Sequence, residues 1–290
     1  MAEKGADNRK EKTSHRIRYG SLIVMLAVLI LGVAYLHGRL QKPEEKAPAS
    51  QDETTGAEQE AVILESIENL EAGQVLDAAS LDLQEPDKYF TSSQLTEVQK
   101  EDMKGKSYID NPDISYDDLS YLKVLHYNYE HEIQVGEIIV NAKIAEDCRQ
   151  IFLELFQEGY EIHSMYRIDR FYGDDTTRDA EQADIDSINQ DNTSAFHYRK
   201  IAGTNVTSEH AYGMAIDINP LENPYVPAND VTAAGASPYL KYDLYKDRSN
   251  LQAHMISRDD VCYRIFTRHG FTWGGDWKGT KDYQHFEKEM

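Results

Sequence analysis

The sequence predicts an α+β fold, with helices packed on a small antiparallel sheet and one N-terminal transmembrane helix before them. The strand-like run IQVGEIIVN at 133–141 is followed by a helical period at 142–159, and YEIHSMYRI at 160–168 again suits a strand. Interleaved helices and short strands joined by long loops are typical of this class. The apolar run within 20–37 is long enough to cross a bilayer.

Two helices are predicted from spacing and end signals. Along 142–159, apolar side chains share one face at Ile144, Cys148, Ile151, Phe152 and Leu155. Gly159 suits the left-handed conformation that ends many helices. Nearer the C-terminus, Ser257 and Asp260 have the spacing of a capping box that opens a second helix, which Gly270 ends. The run FTW at 271–273 then suits a strand.

Composition divides the chain into five parts. Residues 1–19 are a charged head, and 20–37 are predicted to be a transmembrane signal anchor, whose upstream Lys and Arg residues favour a cytoplasmic N-terminus. Residues 38–60 have the composition of a disordered linker. Residues 61–129 form an N-terminal extension to which no role is assigned, and 130–290 form the main domain. The main domain is therefore expected outside the cytoplasm.

Charge and cysteine content narrow the choice of partners. The net charge of -21 argues against nucleic acid, because nucleic-acid affinity comes mainly from Lys and Arg. Cys148 and Cys262 belong to no CxxC motif or Cys/His cluster that could hold a metal. An oxidising exterior permits a disulfide between them, and two buried thiols are an equal alternative.

Two histidines and one aspartate form a candidate metal-ligand set. His210 lies seven residues before Asp217 in SEHAYGMAID, whose second half alternates like a strand. On its own this pair is common by chance. His285 adds a third ligand in WGGDWKGTKDYQHFE, where Asp282 precedes it by three residues.

This ligand set suits zinc. Imidazole nitrogen and carboxylate oxygen are donors that Zn²⁺ accepts, and three protein ligands leave a fourth position open, as in catalytic sites. Zinc held in this way lowers the pKa of water to about 7 and polarises a carbonyl group. Asp282 would take the proton of that water and pass it to the leaving amine.

The same residues carry a resemblance to a known family. The pattern SxHxxGxAxD, formed by Ser208, His210, Gly213, Ala215 and Asp217, is followed by WGGDW and DxxHFE. Together they resemble the VanY-like D-alanyl-D-alanine carboxypeptidases, which belong to a zinc metallopeptidase group that includes L-alanyl-D-glutamate endopeptidases and the hedgehog-type fold. The resemblance covers about residues 130–290, and it implies a zinc peptidase domain of that fold.

The resemblance also implies residue roles. His210, Asp217 and His285 would bind zinc, and Asp282 would be the catalytic acid/base, although many relatives carry Glu there. An arginine would hold the substrate and stabilise the oxyanion. Arg167, at the end of a predicted strand, is slightly favoured over Arg199, which lies nearer the ligand motif.

Neighbouring residues have supporting roles in this interpretation. Gly213 permits close packing beside the site, and Ser208 orients His210 by a hydrogen bond. Trp273 and Trp277 are equally suited to a substrate groove and to the core. Six further histidines match no ligand position and are interpreted as structural or exposed: His126, His131, His163, His197, His254 and His269.

The predicted function follows from the resemblance and the anchor. We expect hydrolysis of a peptide bond in the stem peptide of peptidoglycan, with release of the terminal D-alanine favoured over cleavage between L-alanine and D-glutamate. A zinc-stabilised cell-wall binding module without activity is the alternative from a different class. The expected location is the cell membrane, with the catalytic domain outside.

Overall fold

The computed structural model describes residues 63–173, 179–230, 235 and 237–289. All of them fall in one unit, Glu60–Met290. The predicted head at 1–19, anchor at 20–37 and linker at 38–60 lie outside the described residues. Among the residues that are described, no helix is both long enough and apolar enough to cross a membrane.

A four-stranded antiparallel sheet organises the first half of this unit. Its strands are β1 (Val75–Leu76), β2 (Thr91–Gln94), β3 (Leu119–Tyr127) and β4 (Ile133–Asn141), in the order β1-β4-β3-β2. The hairpin of β3 and β4 runs in register from Leu119 opposite Asn141 to Tyr127 opposite Ile133. Residues 75–127, within the extension to which the sequence assigned no role, therefore supply three of the four strands.

Five α-helices lie in the described residues, and one of them, Ala145–Gln157, packs against strands β2, β3 and β4. In chain order they are α1 (Glu97–Met103), α2 (Ala145–Gln157), α3 (Ala180–Asn189), α4 (Tyr242–Tyr245) and α5 (Val261–Arg268). Side chains such as Leu122 and Ile138 share the main core with Phe152 of α2. Tyr121 and Ile139 belong to a second, smaller cluster. Both faces of the hairpin are thus buried, which explains its nearly continuous apolar sequence.

Short strands form much of the second half of this unit. They are β5 (Ser164–Met165), β6 (Asn192–Thr193), β7 (Ala215–Asp217), β8 (Tyr225–Val226), β9 (Thr272–Trp273), β10 (Lys281–Asp282) and β11 (His285–Glu287). Strands β7, β11 and β9 form an antiparallel sheet in that order, and β8 pairs with β10. Strands β5 and β6 pair in parallel. The mixed α+β class with small antiparallel sheets is confirmed.

Several sequence predictions need correction in detail. The strand at 133–141 is found with the predicted bounds, and the helix at 142–159 is shortened to α2. The predicted strand at 160–168 contains only β5, because the chain enters a 3-10 turn at Ile168. Helix α5 is capped by Asp260, whose Oδ1 accepts from the backbone N–H of Cys262, while Ser257 lies in the preceding turn.

The two cysteines and the helix-ending glycines are also placed. Cys148 and Cys262 are both free and buried, so of the two alternatives the structure has the buried thiols. Gly159 and Gly270 have positive φ angles of 67° and 83°, directly after the ends of α2 and α5. They end the two helices in the left-handed region, as the sequence predicts.

Candidate active site

Strand register brings two of the candidate ligands together. In the β7–β11 pair, His285 lies directly opposite Asp217. Side chains of directly opposed residues project from the same face of a sheet and lie close enough to interact. Two residues that are 68 positions apart in sequence thus share one site.

A 3-10 turn supplies the third candidate ligand. His210 lies in the turn Glu209–Tyr212, which Gly213 ends in the left-handed conformation at φ 67°. A side chain on Gly213 would meet the backbone nitrogen of Asn141 at 2.6 Å, so the turn packs directly against the end of β4. The predicted packing role of Gly213 agrees with this geometry, since only glycine fits there without strain.

The three side chains converge in a buried cluster. His210 Nε2 lies 3.2 Å from Asp217 Oδ2, and His285 Nδ1 lies 3.1 Å from Asp217 Oδ1. The two imidazole nitrogens are 3.2 Å apart. Among the described residues these three form the one group of His, Cys, Asp or Glu side chains whose ligand atoms all lie within 4.8 Å.

The donor set fits a zinc ion. Two nitrogen donors and one carboxylate converge on one point, and all three residues are buried. Buried charged groups are stable when they are paired or bind a metal. Burial by itself would raise the pKa of Asp217, but His210 and His285 outweigh burial and hold that pKa far below its usual range. The carboxylate is therefore ionised, as a zinc ligand must be.

The second nitrogen of each imidazole has its own partner. His210 Nδ1 lies 2.7 Å from the carbonyl oxygen of Ala195, and His285 Nε2 lies 3.1 Å from Glu287 Oε2. Burial lowers the pKa of His285, but the hydrogen bonds to Asp217 and Glu287 outweigh it and raise this pKa to about 10. Ser208 acts differently from the prediction: its Oγ accepts from the backbone N–H of His210, not from the ring.

Asp282 faces the same cavity from strand β10. Its Oδ1 is buried and has no hydrogen-bond partner among the described residues. Burial first, and then the charge of Asp217, raise the pKa of Asp282 to about 7. Gly274 packs against it closely, because an added Cβ there would lie 2.5 Å from the carbonyl oxygen of Asp282. The site thus holds a carboxyl group that titrates near neutral pH, as general acid/base catalysis requires.

A cavity of about 230 Å³ connects these groups. Its described lining includes the three candidate ligands and Asp282, together with Arg199, Trp277, Tyr225, Tyr239, Asp184 and Glu287. The Trp277 ring lies 5.4 Å from the ring of His285. Trp273 instead packs in the core and donates its indole N–H to the carbonyl of Tyr283. Trp277 therefore lies at the cavity and Trp273 in the core, which are the two positions that the sequence left open for them.

The two candidate arginines also occupy different places. Arg199 lines the cavity, where its Nη2 lies 2.9 Å from Asp184 Oδ2 and its buried Nε has no partner among the described residues. Arg167, which the sequence slightly favoured, is not among the described lining residues. It lies among three carboxylates, 3.1 Å from Asp102, 3.2 Å from Asp169 and 3.6 Å from Glu137. Of the two, Arg199 is the one that lines the cavity of the candidate ligands.

Two cavity residues were not singled out from the sequence. Glu287 stands two positions after His285 in the motif DxxHFE. Alternate residues of a strand share one face, so this spacing could have placed Glu287 beside His285. Asp184 lies on α3, where no motif marks it. Its carboxylate also approaches His197, at 3.5 Å from Nδ1. The other six histidines of the described residues, including His197, take no part in the candidate metal cluster.

Two histidines and one aspartate with a carboxyl group beside them have the ligand set of a catalytic zinc site. Residues 202–288 match the family model described as D-alanyl-D-alanine carboxypeptidase, and this confirms the resemblance seen in the sequence. The matched segment includes all three candidate ligands and Asp282. The match supports peptidoglycan peptidase activity in general, and peptidases of this family are typically zinc-dependent. Neither the curated proteins nor the solved structures contain a match to the chain.

Proposed function

We propose that this protein is a zinc-dependent peptidase that cleaves the stem peptide of peptidoglycan, most specifically as a D-alanyl-D-alanine carboxypeptidase. The convergence of His210, Asp217 and His285 beside the carboxyl group of Asp282 carries the proposal. These residues lie in the segment that matches the carboxypeptidase family. When bound, zinc supplies a Lewis acid for the scissile carbonyl and favours deprotonation of water.

The chain's own residues divide the remaining work. Asp282 accepts a proton from water in the cavity and returns it to the leaving amine, so one carboxyl group is base and then acid. Its raised pKa suits both transfers near neutral pH. Arg199 is held by Asp184, and its Nε–H, which has no partner among the described residues, is left for the developing oxyanion or a substrate carboxylate. Trp277 and Tyr225 supply apolar cavity surface.

The choice of scissile bond is the finer part of the proposal. A terminal D-alanine carries a carboxylate, and Arg199 places a fixed cation beside the candidate metal site. Cleavage between L-alanine and D-glutamate is the second candidate, favoured by Asp rather than Glu at position 282, since endopeptidase-type relatives also use Asp.

The proposed location rests on the sequence. The apolar run at 20–37 with its basic flank would anchor the chain with the domain outside the cytoplasm, where peptidoglycan is found. Protease added to intact cells without their wall should then digest the domain and spare residues 1–19. Protection of the domain would contradict this location.

Product analysis tests the activity and the bond together. Purified full-length protein is incubated with a defined stem pentapeptide, with chelator-treated protein as control. Because loss of either terminal alanine leaves a tetrapeptide of the same mass, the product is sequenced by tandem mass spectrometry. We expect loss of the C-terminal alanine, abolished by chelation and restored by Zn²⁺. Release of L-alanine from the N-terminal end would identify the endopeptidase instead. Stoichiometric zinc without any hydrolysis would favour the inactive binding module.

A further inference from the structure

The two candidate histidine ligands are supported unequally. His210 directs Nδ1 to the neutral carbonyl of Ala195, whereas His285 directs Nε2 to the carboxylate of Glu287. A hydrogen bond to an ionised acceptor is roughly twice as strong as one between neutral groups. The imidazole of His285 is therefore held by the stronger of the two contacts.

Strand geometry fixes this contact. In β11, His285 and Glu287 are alternate residues and share the face toward the cavity, while Phe286 between them packs in the core at 0% exposure. Strand β11 is the middle strand of its sheet, with Glu287 paired to Ala215 on one side and to Thr272 on the other. The backbone that presents the carboxylate is thus held from both sides.

The two ring nitrogens of His285 face different partners, and this determines what Glu287 can do. Nδ1 of His285 is the nitrogen that faces Asp217 and His210, so a metal at this centre takes its lone pair. The imidazole proton then resides on Nε2 and is donated to Glu287. A carboxylate in this place fixes the tautomer and the ring orientation, and it increases the basicity of the ligating nitrogen.

We propose that Glu287 is a positioning residue that sets the metal affinity of the site by holding His285 through its Nε2–H. The inference rests on the proposed zinc site and extends it to a residue outside the ligand set. Replacing a partner of this kind typically weakens metal binding by about 10–100-fold.

A graded set of variants tests the proposal on the full-length chain. Glu287→Gln keeps a hydrogen-bond acceptor but loses the charge, and Glu287→Ala loses both. Glu209→Gln is the matched control, because Glu209 is an exposed carboxylate that lines the same cavity. The measured quantity is the dissociation constant for Zn²⁺, from competition with a chromophoric chelator, beside the melting temperature of each metal-free variant.

We expect zinc affinity to fall from wild type to Glu287→Gln to Glu287→Ala, by about 10–100-fold in total. Glu209→Gln should change it by less than about fivefold, as exposed charges do. The visible absorption of the Co²⁺-substituted protein should change in Glu287→Ala and not in Glu209→Gln, which a general loss of stability would not produce.

Two results would overturn the inference in distinguishable ways. If wild type binds zinc and hydrolyses substrate while Glu287→Ala keeps the same affinity and Co²⁺ spectrum, Glu287 does not position His285 and the proposed function stands. If wild type binds no zinc, the proposed zinc site fails and this inference fails with it. Should Glu287→Ala melt far below wild type, the affinity and spectrum of the isosteric Glu287→Gln decide.

Discussion

The four-stranded sheet and the candidate site are built in opposite ways. Strands β3 and β4 pair over nine residues each and bury mostly apolar side chains. Strands β7, β10 and β11 have two or three residues each, and they present His285, Asp217 and Asp282 to one cavity. Apolar burial stabilises the first region, whereas the second buries charges that need partners.

This difference indicates that most residues that stabilise the fold are not the residues proposed to act in catalysis. The hairpin of β3 and β4 with α2 supplies a large part of the main core and contains none of the candidate ligands, while β7 and β11 add only Ile216 and Phe286 to that core. Substitutions at the ligands should therefore leave the fold in place, and substitutions in the scaffold should leave the chemistry of each folded molecule unchanged. The following variants test that separation, from the largest expected effect to the smallest.

Removal of a ligand should have the largest effect. We expect His210→Ala, Asp217→Ala and His285→Ala each to lose tightly bound zinc and all measurable turnover, because a site with two remaining ligands loses affinity and geometry together. Circular dichroism should still show a folded chain, with a lower melting temperature because bound metal stabilises the native state. Stoichiometric zinc in any of the three variants would remove that residue from the ligand set.

Asp282→Asn should separate the proton transfers from metal binding. The amide keeps the size of the carboxylate but cannot accept a proton, so turnover should fall by about 10²–10⁴-fold while zinc content stays at the wild-type level. Asp282→Glu is the control, and it should retain part of the activity. A fully metallated Asp282→Asn that works within about tenfold of wild type would assign the proton transfers to another group.

The sequence predicted the two regions by different signals. The strand at 133–141 and helix α2 follow from periodicity, because local pattern and burial agree there. Strand β3 was not identified, although its apolar run LSYLKVLHY lies one turn before β4. The predicted strand at 160–168 was mostly wrong: only the two residues of β5 form a strand, paired with the distant β6, and Glu161 makes an isolated bridge to Tyr127.

The site was predicted from motif spacing rather than from local structure. His210, Asp217, His285 and Asp282 were named together, and all four line one cavity. The register of β7 with β11 brings Asp217 and His285 together, while a 3-10 turn supplies His210 and strand β10 supplies Asp282. No local pattern separates Arg199 from Arg167, because their difference is one of tertiary contacts. For the same reason the contacts of Asp184 could be found only in the folded chain, whereas the alternate spacing of Glu287 after His285 was a signal in the sequence.

The two arginines sharpen the comparison between the regions. Arg199→Ala should lower kcat by roughly 10²–10³-fold, as loss of an oxyanion donor does, and should lower the melting temperature moderately because Asp184 loses its cation. Arg167→Ala should leave kcat of the folded protein near wild type, but it leaves the buried Asp169 and the partly buried Glu137 without their cation and costs roughly 3–5 kcal/mol of stability. Thermal melts and turnover numbers for both variants check this. Equal loss of activity in folded Arg167→Ala would restore Arg167 as a substrate contact.

The pH dependence of turnover should show the smallest effect and the most specific one. Burial and the charge of Asp217 raise the pKa of Asp282 to about 7, and a bound dication would favour its ionised form, so the acidic limb of kcat/KM should lie at or below that value. As a base, Asp282 must be ionised, and the rate should fall about tenfold for each pH unit below its pKa.

Loss of zinc at low pH would produce a similar fall, because protons compete with the metal for its ligands. Zinc content measured at each pH separates the two causes. If the fall in kcat/KM persists at constant zinc content and shifts in Asp282→Glu, protonation of Asp282 causes it. If the fall only follows the zinc content, protonation of the metal ligands causes it.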